Sequence, residues 1–218
     1  MEYQKPAEIE RESMRIIDRE LAERGIILPE EYAAVVKRVI HTTADFDYAK
    51  SLRFTEGSVP CALTALSGAT IVTDTNMARI GISPSAAKRL GCEIVCYMSD
   101  EAVAEEAKQR GVTRAVVSME QMAREYPHAI AVIGNAPTAL LKIAESIESG
   151  ARPALVIGVP VGFVNVTESK ERARAACERF GVPAIIALGR KGGSNVAAAI
   201  CNALLYTAAG LLEPEKRQ

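Results

Sequence analysis

The stretch IAVIGNAPTALLKIAESIES, residues 130–149, decides how the rest of the chain is read. Four apolar residues, Ile130 to Ile133, run into Gly134-Asn-Ala-Pro137, and a helical pattern then continues to Ser149. An apolar run this short, bounded by turn residues, predicts a strand buried on both faces. Gly and Asn favour a turn, and Pro suits the first helical turn, where its missing N–H would have no partner. The unit is strand, short turn, helix. Working outward, the same grammar recurs. Strands are expected at Thr70 to Thr73, Glu93 to Tyr97, Leu155 to Val159 and Ala184 to Leu188. Helical patterns lie between or after them, at Asp100 to Arg110, Thr167 to Phe180 and Gly193 to Tyr206. This alternation predicts an α/β fold: a mostly parallel sheet of about five strands, covered by helices on both faces.

N-terminal helices precede the sheet. One runs from Pro6 to a stop at Gly25, with an apolar stripe of Ile9, Ile16, Ile17 and Leu21; Ser13 falls on that stripe. A second runs from Pro29 to about His41, burying Tyr32, Val35, Val36, Val39 and Ile40 and turning Lys37, Arg38 and His41 the other way. Short helices are expected from Asp45 to Leu52 and from Pro60 to Gly68, and the charged tail Glu213 to Gln218 is expected to fray. No repeat and no linker interrupts the chain, so residues 1–218 read as one domain.

Composition narrows the function classes. Of 218 residues, 49% are hydrophobic and 24% charged, which excludes global disorder. Lys and Arg number 26 against 27 Asp and Glu, a net charge of −1 that argues against a partner held by bulk charge, such as nucleic acid. Aromatics are 5% with no Trp, which argues against base-stacking platforms. Met1 to Arg15 is charged without an apolar segment, so no secretory signal is expected, and no apolar run is long enough to span a membrane. Five cysteines, Cys61, Cys92, Cys96, Cys177 and Cys201, include no CxxC pair; they read as reduced core thiols of a cytoplasmic protein, with no metal site.

Open α/β sheets bind ligands beyond the carboxyl ends of their strands. The residues after the expected strands are Asp74-Thr-Asn-Met-Ala-Arg79, then Gly134-Asn135, then Gly158 through Gly162 to Asn165 with Glu168-Ser-Lys170, then Gly189-Arg190-Lys191-Gly192-Gly193-Ser194. Gly-rich turns and helix N-termini can present N–H groups to an anion. From these loops Arg79, Asn135, Gly158, Gly162, Lys170, Arg190, Gly192, Gly193 and Ser194 are the candidate binding residues. Neither a dinucleotide fingerprint nor a P-loop occurs, so a nucleotide-dependent enzyme is disfavoured and carboxylate is as good a guest as phosphate.

Only two histidines exist. His128 precedes a strand, at the edge opposite these loops, and reads as a surface residue. His41 ends the second helix, where the helix dipole alone would favour an imidazolium. Its neighbours point to chemistry instead. Arg38 lies one turn earlier, and Thr42-Thr43-Ala-Asp45 follows at once. An imidazole among hydroxyl and carboxylate neighbours can be tuned for proton transfer.

Taken together and in order, Arg38-Val-Ile-His41-Thr42-Thr43, Gly134-Asn-Ala-Pro-Thr-Ala-Leu140, Gly158-Val-Pro-Val-Gly-Phe-Val164 with Glu168-Ser-Lys170, and Gly189-Arg-Lys-Gly-Gly-Ser194 resemble the precorrin-8X methylmutase family over nearly the whole chain, its cobalt-precorrin-8 branch most. The resemblance implies a Rossmann-like homodimer that moves a methyl group of a corrin-type tetrapyrrole from C-11 to C-12. It implies His41 as general acid, Ser13 and Arg38 as substrate contacts, and no cofactor; any cobalt arrives inside the substrate macrocycle. The small-residue last helix and the N-terminal helices are the candidate dimer surfaces. Hand-over of product to neighbouring enzymes of the cobalamin pathway belongs to the same expectation. A non-catalytic carrier that binds the corrinoid and passes it on is the alternative.

Overall fold

All five expected strands form in the computed structural model, which describes residues 5–217. The chain opens with α1 (Pro6–Glu23), α2 (Glu30–Thr43) and α3 (Tyr48–Ser51), then β1 (Leu52–Phe54) and α4 (Ser58–Ala65). The alternating part is β2 (Thr70–Thr73), α5 (Asn76–Gly81), α6 (Pro84–Arg89), β3 (Glu93–Val95), α7 (Glu101–Arg110), α8 (Arg114–Glu125), β4 (Ile130–Ile133) and α9 (Pro137–Glu148). It continues through β5 (Leu155–Gly158), α10 (Val166–Phe180), β6 (Ala184–Ala187) and α11 (Ser194–Ala208), with 3-10 turns at Tyr97–Ser99 and Pro214–Arg217.

The sheet has six strands in the order β1-β6-β5-β4-β2-β3. Its sixth member corrects the five-strand expectation. β1 is three residues long and its central Arg53 is exposed, so it carries no apolar run; it pairs antiparallel with β6, Leu52 opposite Ala187. The sheet is therefore mixed, parallel from β6 to β3. Numbered by themselves, the parallel strands follow the order 2-1-3-4-5. That is the second common doubly wound arrangement and not the 3-2-1-4-5-6 order of the Rossmann fold. After β3 the chain crosses back over β2 to lay down β4, which puts the topological switch point between β2 and β4.

Strand alternation sorts the core into two layers. Ile71, Ile130, Val132, Leu155, Ile157 and Ile185 pack under α2, α4, α6 and α11. Val72, Ala131, Ile133, Val156 and Ile186 pack under α7, α8, α9 and α10. Val35, Val36, Val39 and Ile40 of α2 are buried as the spacing predicts, each contributing about 1.5–3 kcal/mol. Tyr32 is only half-buried and stacks on Phe54 with ring centroids 4.1 Å apart. α1 buries less than its stripe predicts. Ala7, Ile17 and Leu21 are covered, but Ile9 and Ile16 are exposed, because among the described residues α1 packs mainly against α2 and the C-terminal turn.

Two further expectations are corrected. The small residues of α11 do not form an outer face: Val196 to Cys201 are buried, packed against α2 and α5. Gly81 on α5 shows how close the approach is, since a Cβ there would stand 2.9 Å from the Ala198 Cβ. The tail does not fray over the described residues. Arg217 donates from Nε to the Leu211 carbonyl at 2.7 Å and from Nη2 to the Leu212 carbonyl. Among the thiols, Cys177 and Cys201 are core residues, Cys92 and Cys96 are half-buried, and Cys61 is exposed. No helix among the described residues is long and apolar enough to cross a membrane.

Candidate active site at the carboxyl edge of the sheet

Asp74 stands just past β2, at the switch point, and is fully buried. Its Oδ1 accepts the Gly134 N–H at 2.8 Å; its Oδ2 accepts those of Asn135 at 2.8 Å and Ala136 at 2.7 Å. The N–H cradle before α9, expected to meet a guest anion, is thus filled by a carboxylate of the chain itself. Burial holds the Asp74 carboxyl above its ordinary value, against the downward pull of the backbone N–H donors. Asn135 keeps only its exposed side chain for a ligand.

The loop from Gly189 to Ser194 is also fastened from within. Lys170, expected as an anion-binding cation, is fully buried on α10 and donates from Nζ to the Gly189 carbonyl at 2.7 Å and the Lys191 carbonyl at 2.8 Å. Burial lowers its pKa to about 8. Lys191 reaches across to Asp45 and Asp47, each at 2.7 Å, tying the loop to the end of α2. The Gly193 N–H bonds the Val159 carbonyl at 2.9 Å, and Ser194 Oγ lies 2.8 Å from Thr75 Oγ1. Gly192 is a packing glycine, because a Cβ would lie 2.1 Å from the Val159 oxygen. Gly158 is likewise inside β5, where a Cβ would press on Leu140 at 3.0 Å. Gly162 adopts φ 148°, open to glycine alone. Packing accounts for Gly158 and Gly192, and internal hydrogen bonds for Lys170 and the Ser194 hydroxyl, so the fold gives each of these expected ligand contacts a scaffold role.

Above this edge stands the end of α2. His41 is exposed. The protein flanking it removes part of its water, and the Arg38 guanidinium adds repulsion; both pull the imidazole below its ordinary pKa, while Glu10 raises it and Arg217 lowers it again. Thr42 Oγ1 donates back to the Arg38 carbonyl at 3.0 Å, and Thr43 Oγ1 to Val39 at 2.8 Å. Ser13 is spent in the same way on Ile9, at 2.8 Å, and is half-buried on α1 instead of core-facing. Such hydroxyls close their own helix turns and keep lone pairs free to accept.

Arg38 is not a free cation. Its Nη2 lies 2.7 Å from Glu10 Oε1, and its guanidinium sits 5.4 Å from the Tyr206 ring centroid. It separates two clefts. One, of about 300 Å³, is lined by Arg38, Thr42, Gly81, Asn195, Asn202 and Tyr206. The other, of about 380 Å³, runs between α1, α2 and the C-terminal turn past Glu10, Met14, Lys37 and Leu212. Glu10, Tyr206 and Asn202 were not singled out in the sequence, where nothing marks residues so far apart as neighbours. Free charge remains on Arg79 and Arg190, both exposed, with Arg190 5.6 Å over the Phe163 ring. Helix α5 exposes Met77 and Ile80 beside this edge, and the loop before α10 exposes Phe163 and Val164. The edge therefore offers one proton-transfer group, a few cations and apolar surface, which suits a broad apolar guest with peripheral carboxylates. Among the described residues, no cluster of His, Cys, Asp and Glu is placed to hold a metal ion.

Comparison with known proteins agrees with this chemistry. The family model described as precorrin-8X methylmutase matches residues 8–207. A cobalt-precorrin-8 methylmutase of Leptospira interrogans is 43% identical over 205 residues, 90% of this chain and 91% of that protein. One from Salmonella typhimurium is 43% identical over 208 residues, covering 93% and 96%. A crystal structure of precorrin-8X methyl mutase from Thermus thermophilus superposes with a TM-score of 0.81 at 40% identity, covering 93% of this chain and 98% of that one.

Proposed function

The chain belongs to the precorrin-8X methylmutase family, isomerases of vitamin B12 biosynthesis, and from that premise we propose that it moves a methyl group from C-11 to C-12 of cobalt-precorrin-8, or of metal-free precorrin-8X, with His41 as the general acid. The observation that carries this reading is the placement of His41: an exposed imidazole at the carboxyl edge of the sheet, beside Arg38 and within a charged cluster that sets its acidity.

The step is an isomerisation. The bond from the methyl carbon to C-11 breaks as the bond to C-12 forms, and no atom is gained or lost, so no external oxidant or reductant enters. His41 lends a proton to the conjugated ring, which lowers the barrier to migration, and regains it from the product. General-acid assistance of this kind is worth about 10²–10⁴-fold. In the free protein the imidazole is biased toward its neutral form. Carboxylates of a bound substrate bring negative charge beside it and favour the imidazolium, so the acid is armed by the substrate itself. Arg79, Arg190 and the Asn135 amide supply exposed polar contacts, and Arg38 is reached once its Glu10 pairing is shared.

The cobalt-bearing substrate is favoured by the likeness to the cobalt-precorrin-8 methylmutases of Leptospira and Salmonella. A homodimer is part of the reading, supported by the exposed apolar residues Met77, Ile80, Phe163 and Val164, and sedimentation would test it. The open edge suits hand-over of a bulky product to a neighbouring enzyme of the pathway. The deciding experiment mixes protein with a tenfold excess of cobalt-precorrin-8 and follows its absorption spectrum. Full conversion to cobyrinic acid supports the enzyme; a change that stops at one equivalent would indicate a carrier. His41→Ala should still bind the tetrapyrrole and lose most turnover, and wild-type turnover in that variant would remove His41 from the mechanism.

A further inference from the structure

One carboxylate of α1 is held between two guanidiniums from distant parts of the chain. Glu10 Oε1 accepts Arg38 Nη2 and Arg217 Nη1, each at 2.7 Å, and Oε2 accepts Arg217 Nη1 at 2.8 Å. All three side chains are largely withdrawn from water, Glu10 being 20% exposed and both arginines 13%. Tyr206 of α11 forms a common floor, its ring centroid 4.1 Å from the Arg217 guanidinium and 5.4 Å from that of Arg38. We propose that Glu10 is a positioning residue, which fixes Arg38 beside His41 and lets the C-terminal turn Pro214–Arg217 set the charge around the imidazole.

The argument is one of geometry and charge. The charged groups that bond Glu10 are Arg38 from α2 and Arg217 from the C-terminal turn, and Tyr206 from α11 lies under both guanidiniums. Two cations this close and this dry repel unless an anion stands between them. Burial alone would push the Glu10 carboxyl up, but the Arg217 and Arg38 guanidiniums outweigh it and hold it below the usual carboxylate range, so the anion is present at neutral pH. Without it Arg38 would be driven off its place over Tyr206. The same three charges act on His41, Arg38 and Arg217 disfavouring the imidazolium and Glu10 favouring it. Arg217 lies beyond the stretch matched by the family model, which ends at residue 207. A surface pair of this kind could be a mere staple for the tail. Arg217 Nη1 bridging both Glu10 oxygens, its guanidinium over the Tyr206 ring and the Glu10 oxygen shared with Arg38 make it a three-way junction at the site instead.

The inference rests on the reading of His41 as the acid, and its test separates the two. The protein has only two histidines, so ¹H–¹⁵N spectra resolve the His41 titration directly, without substrate. Glu10→Gln should move the His41 midpoint to lower pH, and Arg217→Met should move it to higher pH. Arg217→Lys, which keeps the charge, should leave it near wild type. The His128 signal, from the opposite sheet edge, should not differ among variants. In turnover, Glu10→Gln should lower kcat/KM roughly tenfold, as lost positioning of one charged contact does. An unmoved His41 midpoint in both Glu10→Gln and Arg217→Met, in folded protein, would overturn the proposal and leave the junction a staple. Should Glu10→Gln fail to fold, the Arg217 pair decides alone. Midpoints that move as stated while turnover survives His41→Ala would uphold the junction and sink the acid.

Discussion

The Asp74 carboxylate accepts the Gly134 N–H at 2.8 Å, and that bond joins the ends of β2 and β4, the two strands between which the order of the sheet reverses. A ligand-binding edge is normally poor in internal partners for its N–H groups. Here the chain supplies its own carboxyl acceptor. The cradle before α9 is a structural joint that holds the edge rigid, and the guest must be met by the side chains around it. Asp74→Ala would take the acceptor from three N–H groups, that of Gly134 buried and those of Asn135 and Ala136 part-buried. At about 1–3 kcal/mol for each unsatisfied donor, partly relieved by water, a loss of roughly 3 kcal/mol or more is expected in urea unfolding. Asp74→Asn should lose less, because its amide oxygen still accepts. Equal stability of the alanine variant and the wild type would show that the cradle is not a joint.

Gly134 also makes the closest approach between the edge and α11. A Cβ there would lie 2.7 Å from the Ser194 Cα and 3.0 Å from both the Ser194 nitrogen and the Ala197 Cβ. Backbone cannot swing aside as a long side chain can. Gly134→Ala should therefore displace the start of α11, at a cost of about 1–3 kcal/mol, and disturb the Thr75–Ser194 contact. The check is a melting curve together with turnover, both of which should fall. A variant as stable and active as wild type would mean that α11 can slide freely over the sheet.

Much of this architecture was legible in the chain, and the exceptions share a cause. Ile130 to Ile133, Leu155 to Gly158 and Ala184 to Ala187 are buried throughout, so their apolar runs announce them, while the edge strand β3 shows the same run with Glu93 exposed and Ile94 and Val95 half-buried. β1 pairs only one edge, with Arg53 turned to water, and a three-residue strand has no period to read. Strand order is invisible for another reason: the crossover from β3 over β2 to β4 leaves no mark in local pattern. At the site, the rule that ligands meet the carboxyl ends of strands pointed to loops that the fold does gather at one edge. It could not separate glycines that touch a guest from those that touch the chain. Gly158 and Gly192 have the composition of binding loops, yet neighbouring atoms fill the space of their missing side chains. Nor can charge pairing be read at long range. Glu10 and Arg217 stand 207 positions apart, and only the fold makes them partners.

Lys170 carries a pH signature of stability. It is fully buried, and burial lowers its pKa to about 8, against about 10.4 for a solvated lysine. Below pH 8 the ammonium is charged in both folded and unfolded chains, and the fold bears the cost of burying it. Between about 8 and 10.4 the unfolded chain binds the proton and the folded chain does not, so this residue makes stability rise with pH, by an amount on the order of 3 kcal/mol in full. Lys170→Met should abolish that rise relative to wild type. It should also leave the Gly189 and Lys191 carbonyls without their donor, so amide exchange across residues 189–194 should quicken and turnover should drop. A wild-type slope of stability against pH in Lys170→Met would place the ammonium in water.

The proton carried by His41 makes the last prediction. As the proposed general acid, the imidazole would have to be protonated to act, so activity is expected below its pKa and lost as pH rises through it. Partial burial and the Arg38 charge lower that pKa in the free protein. The profile of kcat/KM reports the free enzyme, and its alkaline limb should therefore fall on the acid side of an ordinary histidine. The profile of kcat reports the complex, where the substrate carboxylates favour the imidazolium, and its limb should lie at higher pH. Added salt should narrow the gap, because exposed charges are screened within about 8–10 Å at physiological ionic strength. The measurement is a pair of pH profiles at two salt concentrations with cobalt-precorrin-8 as substrate. Coincident limbs would mean that the substrate brings no charge to His41, and a limb that survives in His41→Gln would assign the proton to another group.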